Sequence, residues 1–588
     1  MKTQNKPAPG REAAKRAAPG EGRYIGPEEV RQAAATLQKY RAAKQKLERR
    51  LAENEQWFRL RHWEQLRREA DGERKASAWL FHSIVNKHAD FMDAIPACTV
   101  LPREESDRKT AEALTSVLPV IFDRCEWGGV YSDAAFQKLK LGTAVYSVLW
   151  DPKASGGLGD VSIGSADLFR LYWEPGVRDI QKSRNLFCLE LQDNDILLEQ
   201  YPFLEGKLGG SAPETVTYLY DSGVDTTGKS TVVDWYYKKN AGGRQVLHYV
   251  KFVNDTVLFA SENDEAYRER GWYDHGLYPF VFDPLYKEEG TPVGFGFIDI
   301  MKDAQEEIDI LGTEILKNAR MGARRRYFVR GEGAVNEAEF ADFGRDFVHV
   351  NGSSLGEDSL REIAAAPLSG VYVTVLNNKI AELKETSGNR DFSSGGTTGG
   401  VTSGAAITAL QEAGSKLSRD MIAATYRAFA GVCTLTVELI RQFYTAPRSM
   451  RILGPNGEWQ FTSYDNSGLL PVPESDFGVD FGARVPVFDM SIQAHKQNAF
   501  SRAAQNEDAL NFYKMGFFDP AKSVQSLACL QMIDIDNKEK LMHLIEENGR
   551  LYGGLVSQPQ AAAPAGNAGA SLLTDGLRER AKRTEVSP

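Results

Sequence analysis

The chain has 588 residues, 42% of them hydrophobic and 26% charged, with a formal net charge of −10. That length exceeds one compact core, and the composition is that of a folded, multidomain protein. The acidic balance argues against a site-specific DNA binder, which usually carries a basic surface.

The apolar runs are short, such as Val371–Leu376, and none approaches the roughly 20 residues of a membrane span. The basic N-terminus has no apolar core of a secretory signal. Cys98, Cys125, Cys188, Cys433 and Cys529 lie far apart, without CxxC or metal-type spacing, and are expected to be buried thiols of a reducing compartment.

Residues 1–27, rich in Ala, Gly, Pro, Lys and Arg, are expected to be disordered. Glu28–Glu69 predicts one long amphipathic helix. Ala33, Tyr40 and Leu47 recur every seven residues, with Val30, Leu37 and Leu51 on a neighbouring line. Three heptads are short evidence for a coiled coil, so docking on its own domain is the expected role. Its basic character notwithstanding, the helix is expected to lie away from nucleic acid.

Residues 73–150 read as helical and then extended, ending in a strand at Thr143–Trp150. From there to about 290 strands dominate. Thr215–Tyr220, Thr231–Tyr237 and Gln245–Val253, with turns at Asn240–Gly243 and Asn254–Asp255, predict an antiparallel meander.

The character changes at Phe297. Residues 297–323 predict a helix with an acidic first half (Asp299, Asp303, Glu306, Glu307, Asp309) that reads as a solvated or subunit-facing surface. Its basic end (Lys317, Arg320, then Arg324, Arg325 and Arg326) suits the helix macrodipole. The arginines have two readings, contact with phosphate or capping of the helix end, and the sequence leaves both open. A small mixed segment follows, with strands at Arg326–Val329, Phe347–Val350 and Leu360–Ile363 and short helices at Asn336–Phe343 and Val375–Lys384.

Residues 387–404 form a Gly/Ser/Thr loop too rich in glycine to be regular. The longest helical pattern runs from Ala405 to about Tyr444, roughly 60 Å at 1.5 Å per residue, with Gly414 and Gly431 as candidate bends. Strands return at 449–462 and 485–493. A helix stops near Gly516, Asp519 caps the next with Pro520 in its first turn, and Asp536 caps another that is expected to end at Gly549. Residues from 556 onward form a loose tail.

Gly223–Ser230 matches the phosphate-loop pattern GxxxxGK[ST]. A working loop of that type needs a helix after its lysine, so that helix N–H groups cradle phosphate. Thr231–Tyr237 is β-branched and aromatic and predicts a strand, so a hairpin loop is expected instead. The eight histidines are scattered, with His82 and His88 off helical metal-pair spacing. No catalytic residue, metal site or cofactor is expected.

The order of parts resembles the portal proteins of tailed phages. Local sequence is similar too, in four places. Ser165–Pro175 with Asp179–Gln181 is similar to a wing signature, and Gly294–Gln305 to the start of a stem. Glu385–Gly388 with Gly400–Ile407 resembles a tunnel-loop region, and Phe500–Asn506 with Gly516–Pro520 a crown. The resemblance implies an α+β portal-type fold: a strand-rich wing, a helical stem with an α/β clip insertion, a long helix and a helical crown. On that scheme residues 28–72 are an N-terminal helix, 73–296 the wing and 297–323 the first stem helix. The clip spans 324–370, the second stem helix 371–386, the tunnel loop 387–404 and the long helix 405–445. Wing return strands occupy 446–498, the crown 499–555 and a disordered tail 556–588.

The resemblance further implies a non-enzymatic ring, a dodecamer in the family, sited at one vertex of the virion capsid and assembled in the host cytoplasm. Double-stranded DNA would pass through it without sequence specificity. Implied partners are the large terminase subunit, head-completion or adaptor proteins, the major capsid protein and a scaffolding protein, with no membrane. DNA-channel residues would be Asn389, Arg390, Asp391, Ser393, Ser394, Thr397 and Thr398, and Arg320 with Arg324–Arg326 would be a phosphate contact or helix-end cap. Clip residues Arg330, Glu332, Glu337, Glu339, Asp342 and Arg345 would dock the motor and adaptors. The two competing expectations are a packaging ATPase using Gly223–Ser230 and a scaffold that touches no DNA.

Overall fold

The computed structural model describes residues 25–63, 76–208, 228–241, 243–323, 326–329, 336, 338–339, 360–363, 369–388, 416–453, 459–476, 479–495, 510–532 and 538–556. Helix and sheet are mixed throughout, as an α+β class requires. The chain divides into two compact units, Met1–Ile452 with Gln460–Gln497, and Leu453–Trp459 with Asn498–Pro588. No described helix is long and apolar enough to cross a membrane.

The first unit opens with α1 (Pro27–Phe58), whose first turn is braced by Glu29 accepting from the Gly26 N–H at 2.8 Å. The helix ends at Phe58, earlier than periodicity predicts, and Leu60 adopts φ 59°. Residues 64–69 of the expected helix lie outside the described residues. Next come α2 (Trp79–Met92), β1 (Ile95–Pro102), α3 (Arg108–Arg124) and α4 (Trp127–Leu141), followed by β2 (Thr143–Asp151), β3 (Asp160–Ser165), β4 (Leu171–Trp173) and β5 (Asn185–Asp193). A short α5 (Asn194–Gln200) precedes β6 (Lys229–Ala241), β7 (Arg244–Val253) and β8 (Thr256–Ala260).

Strands β4 to β8 pair in sequence order as an antiparallel meander. The expected strand at Thr215–Tyr220 lies outside the described residues. Side-chain alternation gives this sheet two apolar faces. Phe187, Val233, Trp235 and Tyr237 on one face meet Val30, Ala33, Leu37 and Tyr40 of α1. Leu186, Tyr236 and Leu247 on the other join the main core. The helix stripe is therefore spent on its own unit.

One lysine on that stripe does what apolar groups cannot. Lys44 is buried and donates to the carbonyls of Leu168 (2.6 Å) and Leu171 (2.8 Å), with its ammonium 4.3 Å from the Tyr172 ring centre. Burial pushes its pKa down to about 8, while Glu48 at 3.6 Å favours the charged form. Those carbonyls belong to the turn after Ser165, whose Asp167 accepts from the Phe169 N–H.

Strands β9 (Phe280–Pro284), β10 (Tyr286–Lys287) and β11 (Gly294–Phe295) lead to α6 (Phe297–Ala323). Strands β12 (Arg326–Val329) and β13 (Leu360–Ile363) pair antiparallel, and α7 (Gly370–Ser387) follows. The residue pattern predicts only its middle, Val375–Lys384, whereas the span 371–386 implied by the family resemblance falls within one residue of its ends. Ser369 Oγ accepts from the Val371 N–H at one end, and left-handed Gly388 closes the other. The expected Phe347–Val350 strand lies outside the described residues, as does most of the Asn336–Phe343 helix.

Helix α8 (Lys416–Phe443) is the core's long helix; residues 405–415 lie outside the description. It packs against the three-stranded sheet β3–β2–β9 through Phe429, Val432 and Ile440, among other buried residues. Lys138 of α4 binds Asp283 of β9 at 2.7 Å and Thr425 of α8 at 2.6 Å, all three buried, which fixes the helix on the sheet. The return strands are β14 (Arg448–Leu453), β15 (Trp459–Tyr464), β16 (Val472–Asp476), β17 (Val479–Arg484) and β18 (Phe488–His495). Strand β18 pairs antiparallel with β1 along its whole length.

The second unit contains α9 (Ser523–Met532) and α10 (Lys538–Val556). Gly516 at φ 75° ends the turn before them, and the Asp519 carboxylate accepts from the Ala521 N–H, as its sequence predicts. Helix α10 runs through Gly549 to Val556 instead of stopping there. Gly549 sits where a Cβ would strike Ser523, so its missing side chain serves helix contact and not termination. Asp536 lies outside the described residues. The thiols are varied: Cys98 and Cys433 are buried, Cys125 and Cys188 half-buried and Cys529 exposed, so burial of all five is corrected.

Replacing Lys44 by Met keeps the apolar stem and removes the donor. With the Leu168 and Leu171 carbonyls stranded, the first unit should lose about 3 kcal/mol. The check is a lower denaturant midpoint for tryptophan fluorescence, with α1 helicity retained.

Candidate functional site

The backbone is closely constrained where α6 leaves the sheet body. Gly142, Gly294 and Gly296 meet there. A Cβ on Gly296 would lie 2.7 Å from the Leu139 carbonyl and 2.9 Å from the Gly142 nitrogen, so the backbone passes only because no side chain exists. Asp299 then caps the helix, accepting from the Gly296 N–H at 2.8 Å and from Asn54 Nδ2 at 3.0 Å. Arg50 of α1 donates to the Gly294 carbonyl at 2.9 Å and pairs with Glu288 at 2.9 Å.

Three turns on, Asp309 is fully buried and collects donors from two separate segments. His62 Nε2 lies 3.0 Å from Oδ2, and Trp63 Nε1 donates to the same oxygen at 3.3 Å. Ser77 gives its backbone N–H (2.8 Å) and its hydroxyl (2.6 Å) to Oδ1, and Gln305 Nε2 adds a bond at 2.9 Å. His62 stacks on Trp57 with ring centres 3.8 Å apart. Gln305 Oε1 in turn accepts from the Leu80 N–H at the start of α2. One carboxylate thus joins the end of α1, the start of α2 and the middle of α6.

Helix α7 runs back along α6. Lys379 pairs with Glu307 at 2.7 Å, and Leu383 is buried. A groove of about 280 Å³ lies at this contact, lined by Trp79, Ile308, Leu316, Leu376, Lys317 and Arg320 among others. The first turns of α7 expose Val371 (65%), Tyr372, Val373 and Val375.

Of the residues named from sequence, Arg320 is exposed near the end of α6 and lines this groove. Arg326 opens β12 and so belongs to a strand, not to the helix end. Glu339 donates its backbone N–H to Asn336 Oδ1 at 3.4 Å. Arg324, Arg325, Arg330, Glu332, Glu337, Asp342 and Arg345 lie outside the described residues, as do Asn389, Arg390, Asp391, Ser393, Ser394, Thr397 and Thr398.

The phosphate-loop match is resolved by its second half. Gly228 has φ 73°, and Lys229 and Ser230 open strand β6. Lys229 pairs with Asp193 at 2.8 Å, and buried Ser230 donates to Asn194 Oδ1 at 2.6 Å. A strand follows the lysine, so no helix continues from it to place its first N–H groups around phosphate. Residues 209–227 lie outside the description. Among the described residues no group of three or more His, Cys, Asp or Glu side chains could hold a metal ion.

The expectation that the acidic half of α6 is solvated needs correction. Asp303 and Glu307 are exposed, but Asp309 is buried and Asp299 half-buried. Sequence reading also missed His62, Asn54, Lys44 and Lys138. A usable signal was there for Asp309: with Met301, Gln305 and Ile308 it sits on the apolar stripe of its helix, and polar groups on such a stripe must find buried partners.

A model of the phage P22-like portal protein family matches residues 36–276 and 286–570. The chain belongs to that family. Membership supports a structural role at a phage capsid portal, in the virion, and the family is not enzymatic. No curated protein matches the chain. Among solved structures, it is similar to a chain from a structure described as the virion of a native gene transfer agent particle. The TM-score is 0.36 at 9% identity, over 77% of this chain and 90% of that one.

Three substitutions test the geometry of α6. Asp309→Ala leaves five side-chain or backbone donor groups without their buried acceptor and should cost about 3–5 kcal/mol, seen as a fall in thermal midpoint. Gly296→Ala should cost about 1–3 kcal/mol through forced backbone movement. Gly312→Ala, on the same helix but facing open space, should instead stabilise by up to about 1 kcal/mol. The opposite signs, read by denaturant titration, separate close approach from helix propensity.

Proposed function

We propose that the chain forms a ring at one vertex of a phage capsid and conducts double-stranded DNA during packaging and ejection. The observation that carries this reading is the family match, which spans both sides of the α6/α7 pair and its inserted strand pair. On this reading α6 and α7 are the stem, the segment around β12 and β13 is the clip, and the β4–β8 sheet with α1 is the wing. The clip, including Arg330, Glu332, Glu337, Glu339, Asp342 and Arg345, docks the large terminase subunit and later the adaptor proteins. The rim contacts the major capsid and scaffolding proteins. The ring is dodecameric, as the family resemblance implies, and assembles in the host cytoplasm.

The glycine-rich segment 387–404 is the tunnel loop and touches DNA lightly through Asn389, Arg390, Asp391, Ser393, Ser394, Thr397 and Thr398. Each phosphate neutralised by a cation adds salt-dependent affinity, so a strongly basic lining would brake DNA movement. The overall charge of −10 and the loop's single arginine suit passage better than grip. Arg320 with Arg324–Arg326 would offer limited phosphate contact at the far end of the stem. The competing ATPase reading loses its motif, because β6 begins at Lys229.

Negative-stain microscopy of the purified chain should show rings with an open channel. Removing residues 392–400 should leave those rings intact and reduce DNA packaging or retention. Particles without a channel would overturn the conduit, and normal genome retention after the deletion would make the loop a passive connector.

A further inference from the structure

The exposed face of α1 is basic on a protein that is acidic overall. Lys39, Lys46 and Arg49 are exposed, and none forms an ion pair with another described residue. The nearby acids are already engaged: Glu48 with Lys44, Glu53 with Lys302 and Glu288 with Arg50. The helix cannot turn this face inward, because Val30, Leu37, Tyr40 and Lys44 fix its opposite side on the sheet.

Beside this face lies a groove of about 290 Å³. Tyr40, Leu47, Trp173 and Val293 make its lining largely apolar, and Lys46 and Arg50 stand in its wall. Ala43 is exposed at the edge, where its small side chain leaves the groove open. The volume is at the small end of the roughly 300–1,000 Å³ range of ligand pockets, enough for a few side chains.

We propose that this groove and the adjoining basic face dock an acidic, partly apolar segment of a protein partner. The apolar floor takes one or two aliphatic or aromatic side chains, and Lys39, Lys46 and Arg49 meet the carboxylates beside them. Charge decides the sign of the partner, and the floor decides its class. Duplex DNA would use the cations but has nothing to place against Tyr40, Leu47 and Trp173 in so small a groove. An incoming carboxylate also competes with Glu288 for Arg50, whose other bond holds the Gly294 carbonyl just ahead of α6. Docking therefore acts on the backbone from which α6 starts. The proposal does not depend on the conduit reading, since it concerns a face of the folded chain.

The test uses the full-length protein and a fluorescent peptide alternating Glu with Leu, followed by anisotropy. Saturable binding is expected. Lys46→Glu, which reverses the charge, and Ala43→Trp, which fills the groove, should each weaken it by about tenfold or more. Both sites are exposed, so the melting curve should not move. No saturable binding, or equal binding of a peptide with Gln in place of Glu, would overturn the proposal. Full binding by Ala43→Trp would show charge attraction without a groove, which also overturns it. Competition by a short random-sequence DNA duplex would assign the face to nucleic acid instead.

Discussion

A carboxylate with no access to water, halfway along a helix, must be met by donors or the helix cannot stay where it is. Asp309 meets this condition with groups that come from sequence positions 62, 63, 77 and 305. Apolar contacts around α6 would tolerate some rotation or sliding, because burial is not directional. Five hydrogen bonds to two oxygens do not. The position of α6 on the sheet body follows from that one residue more than from any single apolar contact.

The same device recurs wherever two layers must be held in register. Lys44 fixes α1 against the turn at Leu168–Leu171, and Lys138 fixes α8 against β9 through Asp283 and Thr425. Each is a charged side chain on an otherwise apolar stripe. Each finds partners on a different element, and each would be costly to strand. The apolar core supplies most of the driving force, and these polar pins select one arrangement within it.

Local features were legible in the sequence where periodicity and punctuation agree. The span of α6, the two short strands at Arg326–Val329 and Leu360–Ile363 and the hairpins around Asn240–Gly243 and Asn254 were all readable, because Gly, Asn and charge pattern mark their ends. The family resemblance was legible from the order of parts. The end of α1 was not. Its pattern continues past Phe58, but Asp309, some 250 residues away, captures His62 and Trp63 and the chain must turn at Leu60 to deliver them. Gly549 misled for a related reason: it is small for the sake of a neighbouring helix, which no local pattern reveals. The polar pins were invisible one residue at a time, since a lysine or aspartate in a helix is ordinarily solvated.

Two pins on α6 have a mechanical consequence. Asp299 and Asp309 are ten residues apart, about 15 Å along the axis. Two fixed points determine both the direction of a helix and its rotation. Beyond Asp309 the helix continues for about another 20 Å with Leu316 and Arg320 exposed. Helix α7, paired with it through Lys379 and Glu307, exposes Val371, Tyr372, Val373 and Val375. These apolar side chains stand exposed at consecutive positions 371–373 and at 375, where an apolar partner would remove them from water. Because the pins set the rotation of α6, these side chains keep one orientation relative to the sheet body in every copy of the chain. An assembly built from identical copies depends on such fixed geometry, since each copy must offer its neighbour the same surface.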